Sequence, residues 1–174
     1  MDTKEKKKSE IEQAGEDLLN FAFDREDVKW LVSRLPEDTT TRERGKVEYE
    51  LQLLKIISVG WSIPYFLENI PGKNRLMELF WESVQEFSNS ISETTSLMTG
   101  RDIDYFQTIK HRLDTYLNAM SENPQEKEPS AVIGPEFAAA CGDGDNVFTL
   151  MTGTKMFGAA VDGVREYLTA IEMI

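Results

Sequence analysis

The apolar residues between Val47 and Phe66 cover most of the circumference of a helix and are not confined to one stripe. A helix that is apolar nearly all round is buried by its neighbours. A membrane span needs about 20 consecutive apolar residues, whereas Glu50, Gln52 and Lys55 interrupt this segment. We therefore interpret the segment as the central core helix of the fold. A membrane helix and buried strands are the alternatives.

Pro64 stands near the C-terminal end of this central segment. A proline inside a helix lacks the backbone N–H, and its ring clashes with the carbonyl group four residues earlier. We therefore predict a kink or a break between Gly60 and Pro64.

The other segments have apolar residues at spacings of three and four, which is typical of amphipathic helices. A first helix should begin near Ser9, and a short second helix should follow Asp24. Three longer stripes come later, and their apolar positions are Leu76, Phe80, Val84, Phe87, Ile91, Thr94 and Met98; Ile103, Phe106, Ile109, Leu113, Leu117 and Met120; and Val147, Leu150, Thr154, Phe157, Val161, Val164, Leu168 and Ile171. The sequence predicts an all-α fold, a helical bundle of about six helices around the buried, Pro-kinked one.

Several helix starts can be read from residues that cap exposed backbone N–H groups. Thr40 and Glu43 have the spacing of a capping box, in which each side chain accepts from the other residue's N–H. Asp102 is a suitable N-cap for the helix after the first long stripe, and Asp145 or Asn146 for the last helix.

The domain organisation follows from composition. We expect residues 1–8 to be a disordered N-terminus and residues 9–174 to form a single helical domain. A polar, proline-containing linker is predicted at about residues 122–134, before the C-terminal helical segment. Pro135 would then occupy the first turn of a short helix.

The last helix carries an unusual number of small residues. Each interior glycine costs about 0.5–1 kcal/mol relative to alanine, so a closely approaching neighbour should compensate. These small residues are Gly153, Gly158, Ala159, Ala160 and Gly163. They favour a homodimer, and the central helix of the same chain is the alternative neighbour.

The chain is acidic, with a formal net charge of −12 at pH 7. Nucleic-acid backbones are bound by clustered Lys and Arg, so we expect no direct contact with nucleic acid. The N-terminus is charged and has no apolar leader, and the single cysteine cannot form an internal disulfide. These features predict a cytoplasmic protein that is not bound to a membrane.

Metal and cofactor chemistry has little support in the sequence. His111 is the only histidine, and it lacks the glutamate three residues earlier that di-iron bundles use. Glu78, Glu82 and Glu86 share one helical face, which is more typical of a solvated surface than of a metal site. We predict no catalytic residues, no metal and no cofactor.

Aromatic residues near Pro64 form the first weak candidate site, because a kink opens a gap between helices where a small ligand can bind. The residues are Trp61, Tyr65, Phe66 and Trp81. The alternative is that these rings are ordinary core residues.

A glycine-containing turn before the last helix forms the second weak candidate. Its polar residues are Cys141, Asp143, Asp145 and Asn146. A plain turn with a helix cap, a ligand or metal loop, and a catalytic cysteine are the three interpretations. The two aspartates oppose phosphate binding and a thiolate, because both would be anions beside carboxylates.

These observations lead to one functional hypothesis and two alternatives. The hypothesis is a non-enzymatic helical interaction protein that binds itself or another protein. The alternatives are a small-ligand sensor or carrier, and an enzyme that uses carboxylates, with or without a metal.

Overall fold

The computed structural model describes residues 8–174, and within that part of the chain it contains seven α-helices and no strand. The helices are α1 Glu10–Phe23, α2 Glu26–Ser33, α3 Thr41–Phe66, α4 Lys73–Thr99, α5 Tyr105–Glu122, α6 Pro129–Ala140 and α7 Val147–Ala170. The all-α prediction is confirmed, and the number of helices is close to the predicted six. Residues 1–7 of the predicted disordered terminus lie outside the described residues.

Helix α3 lies at the centre and contacts all six other helices. Every residue from Glu50 to Gly60 is buried, so about three turns are covered on all sides. The prediction of a buried central helix is therefore confirmed. Within residues 8–174, no helix has both the length and the apolar character that crossing a membrane requires.

The two buried charged side chains of α3, Glu50 and Lys55, each have a partner of opposite charge. The ammonium group of Lys55 lies 2.9 Å from the backbone oxygen of Asp24 and 3.1 Å from a carboxylate oxygen of Asp27. Arg112 donates two hydrogen bonds, of 2.9 and 2.7 Å, to the carboxylate of Glu50. An unpaired buried charge would cost several kcal/mol. These pairs explain how a segment interrupted by charges can still occupy the core.

Helix α3 continues through Pro64 and ends at Phe66. The predicted break is not found, while the kink stays a prediction. Because Pro64 lies in the last turn, its missing N–H removes a single hydrogen bond near the helix end. The N–H of Leu67 already donates to the carbonyl of Ile63 at 3.0 Å.

The capping box at the start of α3 is confirmed. The N–H of Glu43 donates to the hydroxyl of Thr40 at 3.2 Å, and the N–H of Thr40 donates to the carboxylate of Glu43 at 2.8 Å. Asn146 caps α7, since its side-chain oxygen accepts from the N–H groups of Phe148 and Thr149.

The N-cap of α5 is Asp104 and not Asp102 as predicted. The carboxylate of Asp104 accepts from the N–H of Gln107 at 3.0 Å. The N–H of Tyr105 donates to the hydroxyl of Ser92 on α4 at 2.9 Å. Asp102 and Asp104 are both of a residue type that caps helices well. Helix α5 begins two residues later than predicted, and its first residue, Tyr105, is the one that bonds to α4.

The connection before α6 is shorter than predicted, because only residues 123–128 separate α5 from α6. Pro129, and not Pro135, lies in the first turn of α6. Ile133 is buried in the core, although the sequence placed it in a polar linker. Pro135 lies inside the helix and is exposed.

The glycines of α7 separate into two groups. A Cβ atom on Gly153 would lie 2.5 Å from the Phe137 ring of α6, and one on Gly163 would lie 2.6 Å from the Phe21 ring of α1. A Cβ on Gly158 would have no described atom within 4 Å. At Gly153 and Gly163, close approach therefore occurs within one chain.

Candidate binding groove

The apolar stripe of α4 is covered along only half of its length. Leu76, Phe80 and Val84 are fully buried against the core. Further along the same stripe, Phe87 is 47% exposed and Met98 is 81% exposed. The sequence pattern is continuous, but its C-terminal half has an open side.

A groove of about 790 Å³ runs beside this open half. Small-molecule sites in proteins usually have volumes of about 300–1,000 Å³. The groove lies between the end of α1, one face of α3, the C-terminal half of α4 and the start of α5, and its lining residues are Phe23, Arg25, Gly45, Glu48, Tyr49, Gln52, Phe87, Ile91, Ser92, Thr95, Ile103 and Tyr105.

Aromatic rings form two pairs along the walls. The ring centroids of Phe23 and Phe87 are 4.3 Å apart at an interplanar angle of 57°. Tyr49 and Tyr105 meet edge to face with centroids 6.1 Å apart. Burial raises the pKa of both tyrosine hydroxyls, so these side chains are neutral at physiological pH. The groove therefore offers uncharged aromatic surfaces to a planar group.

Gln52 lines the groove and carries a buried polar atom that has no partner in the described part of the chain. Its Nε2 donates to the carbonyl of Ala22 at 2.9 Å, which identifies Oε1 as the free acceptor. No N–H or O–H among residues 8–174 donates to Oε1. The whole residue is 8% exposed, and Oε1 itself exposes less than 1 Å².

Two charged residues lie at the groove, and they form an ion pair. Arg25, the N-cap residue of α2, pairs with Glu48 of α3, and both side chains are partly exposed. The pair neutralises both charges, so the groove has no strong preference for an ionic ligand.

Gly45 is an interior residue of α3 that also lines the groove. A Cβ atom built on it would have no described atom within 4 Å. By contrast, a Cβ on Gly60 of the same helix would lie 2.3 Å from the Trp81 ring. Internal packing therefore explains Gly60, whereas at Gly45 the missing side chain leaves the groove wide.

The predicted aromatic site near Pro64 lies away from this groove, and none of its residues lines it. Trp61 stacks on Tyr65 with centroids 4.6 Å apart and contacts Phe157 at 5.3 Å. Phe66 meets Tyr65 edge to face. Trp81 packs on the backbone of α3 at Gly60. The rings contact one another and the core, and Tyr65 is 57% exposed.

The predicted polar loop lies beside a second groove of about 510 Å³. Cys141, Asp143 and Asn146 line it, together with residues of α3 such as Lys46, whereas Asp145 does not. Asn146 donates to the carboxylate of Asp143 at 2.8 Å, which closes the turn. These contacts close the turn, and Asn146 caps α7.

The thiol of Cys141 is buried. Burial, followed by the nearby carboxylate of Glu50, raises its pKa to about 12. The nucleophile in cysteine chemistry is the thiolate, and this environment disfavours it.

The remaining candidates for metal chemistry are exposed. His111, Glu78, Glu82 and Glu86 all lie on the surface. Among residues 8–174, no three His, Cys, Asp or Glu side chains are grouped so that they could hold a metal ion.

Comparison with known protein families, with curated proteins and with solved structures finds no match to this chain. The functional interpretation therefore depends on the groove and on the surface around it. Sequence reasoning missed this groove, although Gly45 inside a predicted helix and the continuous stripe of α4 were visible signals.

Proposed function

We propose that this chain is a non-enzymatic helical interaction protein that binds a protein partner through the open half of α4. The observation that carries the proposal is the interrupted burial of the α4 stripe. Phe87 and Met98 continue the apolar face of Phe80 and Val84 but are exposed. Leu97, next to Met98, is 89% exposed. Exposed contiguous apolar surface is typical of interaction sites.

The composition of this face supports the same proposal. Between Phe87 and Gly100 there is a single charged residue, Glu93, in a chain whose charged fraction is 29%. Depletion of charge is characteristic of the central part of protein interfaces. The proposed partner is a second copy of the chain. Two acidic molecules repel least where they meet through uncharged surface, and a two-fold dimer joins the same patch of both copies.

The homodimer proposal does not depend on the small residues of α7, because Gly153 and Gly163 approach rings of their own chain. We further propose a cytoplasmic location, which the buried free thiol of Cys141 supports, since thiols stay reduced in that compartment.

Light scattering tests the proposal. At micromolar concentration we expect a mass near twice the 19.9 kDa of one chain. Met98→Glu should give a monomer, because it replaces an 81% exposed apolar side chain of this face with a carboxylate. The matched control is Val147→Glu, which changes a 63% exposed side chain on α7 and should leave the dimer intact. A monomeric wild type, or a dimer that only the control disrupts, would contradict self-association through α4.

The second candidate function is a small-ligand sensor or carrier. The groove of about 790 Å³ favours it, although this groove is not the site near Pro64 that the sequence predicted.

A further inference from the structure

We propose that the groove between α1, α3, α4 and α5 binds a small planar aromatic ligand that carries one hydrogen-bond donor, an N–H or O–H directed at Oε1 of Gln52. This site borders the proposed partner surface and shares Phe87 with it, whereas Met98 and Leu97 do not line the groove. Three observations carry the proposal, and each restricts a different property of the ligand.

The walls determine the shape and polarity of the ligand. The rings of Phe23 and Phe87 line one part of the groove, and those of Tyr49 and Tyr105 line another. Aromatic groups gain most from offset or edge-to-face contacts with other rings. A planar apolar ring system is therefore the group that these walls contact best.

The unpaired oxygen of Gln52 is the reason that the proposed ligand carries a hydrogen-bond donor. A buried carbonyl without a hydrogen bond is costly, and native structures contain few of them. Gln52 cannot satisfy its own Oε1, because its amide is held by the bond from Nε2 to the Ala22 carbonyl. A ligand N–H or O–H would supply the missing bond. Since Oε1 exposes less than 1 Å², the donor reaches it after a neighbouring side chain moves aside.

The open space at Gly45 explains how a ligand can enter the groove. Glycine inside a helix costs about 0.5–1 kcal/mol relative to alanine, and no close neighbour requires it here. A side chain at this position would project over the groove that Gly45 lines. The glycine keeps the groove wide enough for a ring system.

Indole and 1-methylindole are the probes that test the site, because N-methylation removes the ring N–H donor and adds one apolar methyl group. Each is titrated into the full-length, ¹⁵N-labelled protein, and the dissociation constant and the shifted amide signals are recorded. We expect indole to shift signals of Gln52, Ile91 and Ser92 and to bind roughly fivefold more tightly than 1-methylindole. A purely apolar groove would give the opposite order, because the added methyl group buries more apolar surface.

Gly45→Leu provides the blocking variant, and Gly158→Leu is its matched control. Both glycines are helical and have open space at Cβ, but Gly158 does not line the groove. Gly45→Leu should weaken indole binding at least tenfold while its thermal unfolding stays cooperative, and Gly158→Leu should bind like the wild type.

Several results would overturn the site. They are the absence of indole binding, equal or tighter binding of 1-methylindole, shifts confined to the region of Trp61 and Trp81, or unchanged binding in Gly45→Leu. Met98→Glu keeps the groove and should still bind indole, so a failure of the partner surface and a failure of the ligand site give different results.

Discussion

The two halves of α4 have the same apolar pattern but different surroundings. The N-terminal half packs against α1 and α3, and Phe80 and Val84 are fully buried. The C-terminal half contacts the start of α5 on one side and borders the groove on the other, so Phe87 stays half exposed. The difference shows that periodicity predicts which face of a helix is apolar, while the neighbouring helices determine whether that face is covered.

The largest expected contrast is between two phenylalanines of this stripe. Phe80→Ala should destabilise the fold by about 3–5 kcal/mol, because it leaves a cavity in the packed core. Phe87→Ala should cost about 1 kcal/mol or less, because the half-exposed ring loses little buried surface. Urea unfolding of both variants measures the difference. Equal losses would mean that the two halves are equally covered in solution.

The second contrast concerns two glycines of α3: Gly60 packs against Trp81 in the N-terminal half of α4, and Gly45 lines the groove. Gly60→Ala should destabilise by about 1–3 kcal/mol, because the added Cβ overlaps the Trp81 ring. Gly45→Ala should stabilise by about 0.5–1 kcal/mol, because alanine favours the helix and meets open space. Thermal or chemical unfolding should show opposite signs. A loss of stability in Gly45→Ala would contradict the open groove.

Two serines at the boundary between the halves give a smaller contrast. The hydroxyl of Ser88 is buried and has no hydrogen-bond partner among residues 8–174. Ser88→Ala should therefore stabilise by up to about 1 kcal/mol. Ser92 accepts from the N–H of Tyr105, so Ser92→Ala should cost about 1 kcal/mol. Denaturant titrations measure the free energy of unfolding of both variants. A change of the same sign in Ser88→Ala and Ser92→Ala would contradict these assigned contacts.

The smallest effect on stability is expected at the exposed end of the stripe. Met98→Ser should change the free energy of unfolding by no more than about 0.5 kcal/mol, because the side chain is 81% exposed. The unfolding is measured at a concentration where the wild type is monomeric. A larger loss there would show that Met98 has a partner inside its own chain.

Much of the fold could be predicted from local signals. The Thr40–Glu43 capping box and the Asn146 cap depend on residues within one helical turn, and the sequence displays such spacings directly. The predicted helix boundaries were wrong where contacts between helices are involved. Helix α5 begins at Tyr105, whose N–H donates to Ser92 of α4, and α6 includes Ile133, which is buried in the core.

The candidate site could not be predicted in the same way. The groove joins residues that are distant in the sequence, such as Phe23, Gln52, Phe87 and Tyr105. The sequence instead suggested rings that are close together along the chain. In the structure Trp61 and Tyr65 stack on each other, since residues four apart share a helical face.

The sequence alone determined that the chain is helical, that the segment around Glu50–Gly60 is surrounded on all sides, and which face of each outer helix is apolar. These properties follow from residue spacing and from the free energy of burying apolar groups, which act locally. Only the tertiary structure decided that Gly153 meets Phe137, that Gln52 keeps an unpaired oxygen, and that half of the α4 stripe is open. Each of these depends on where a second helix lies, and that position is set by the packing of the whole core.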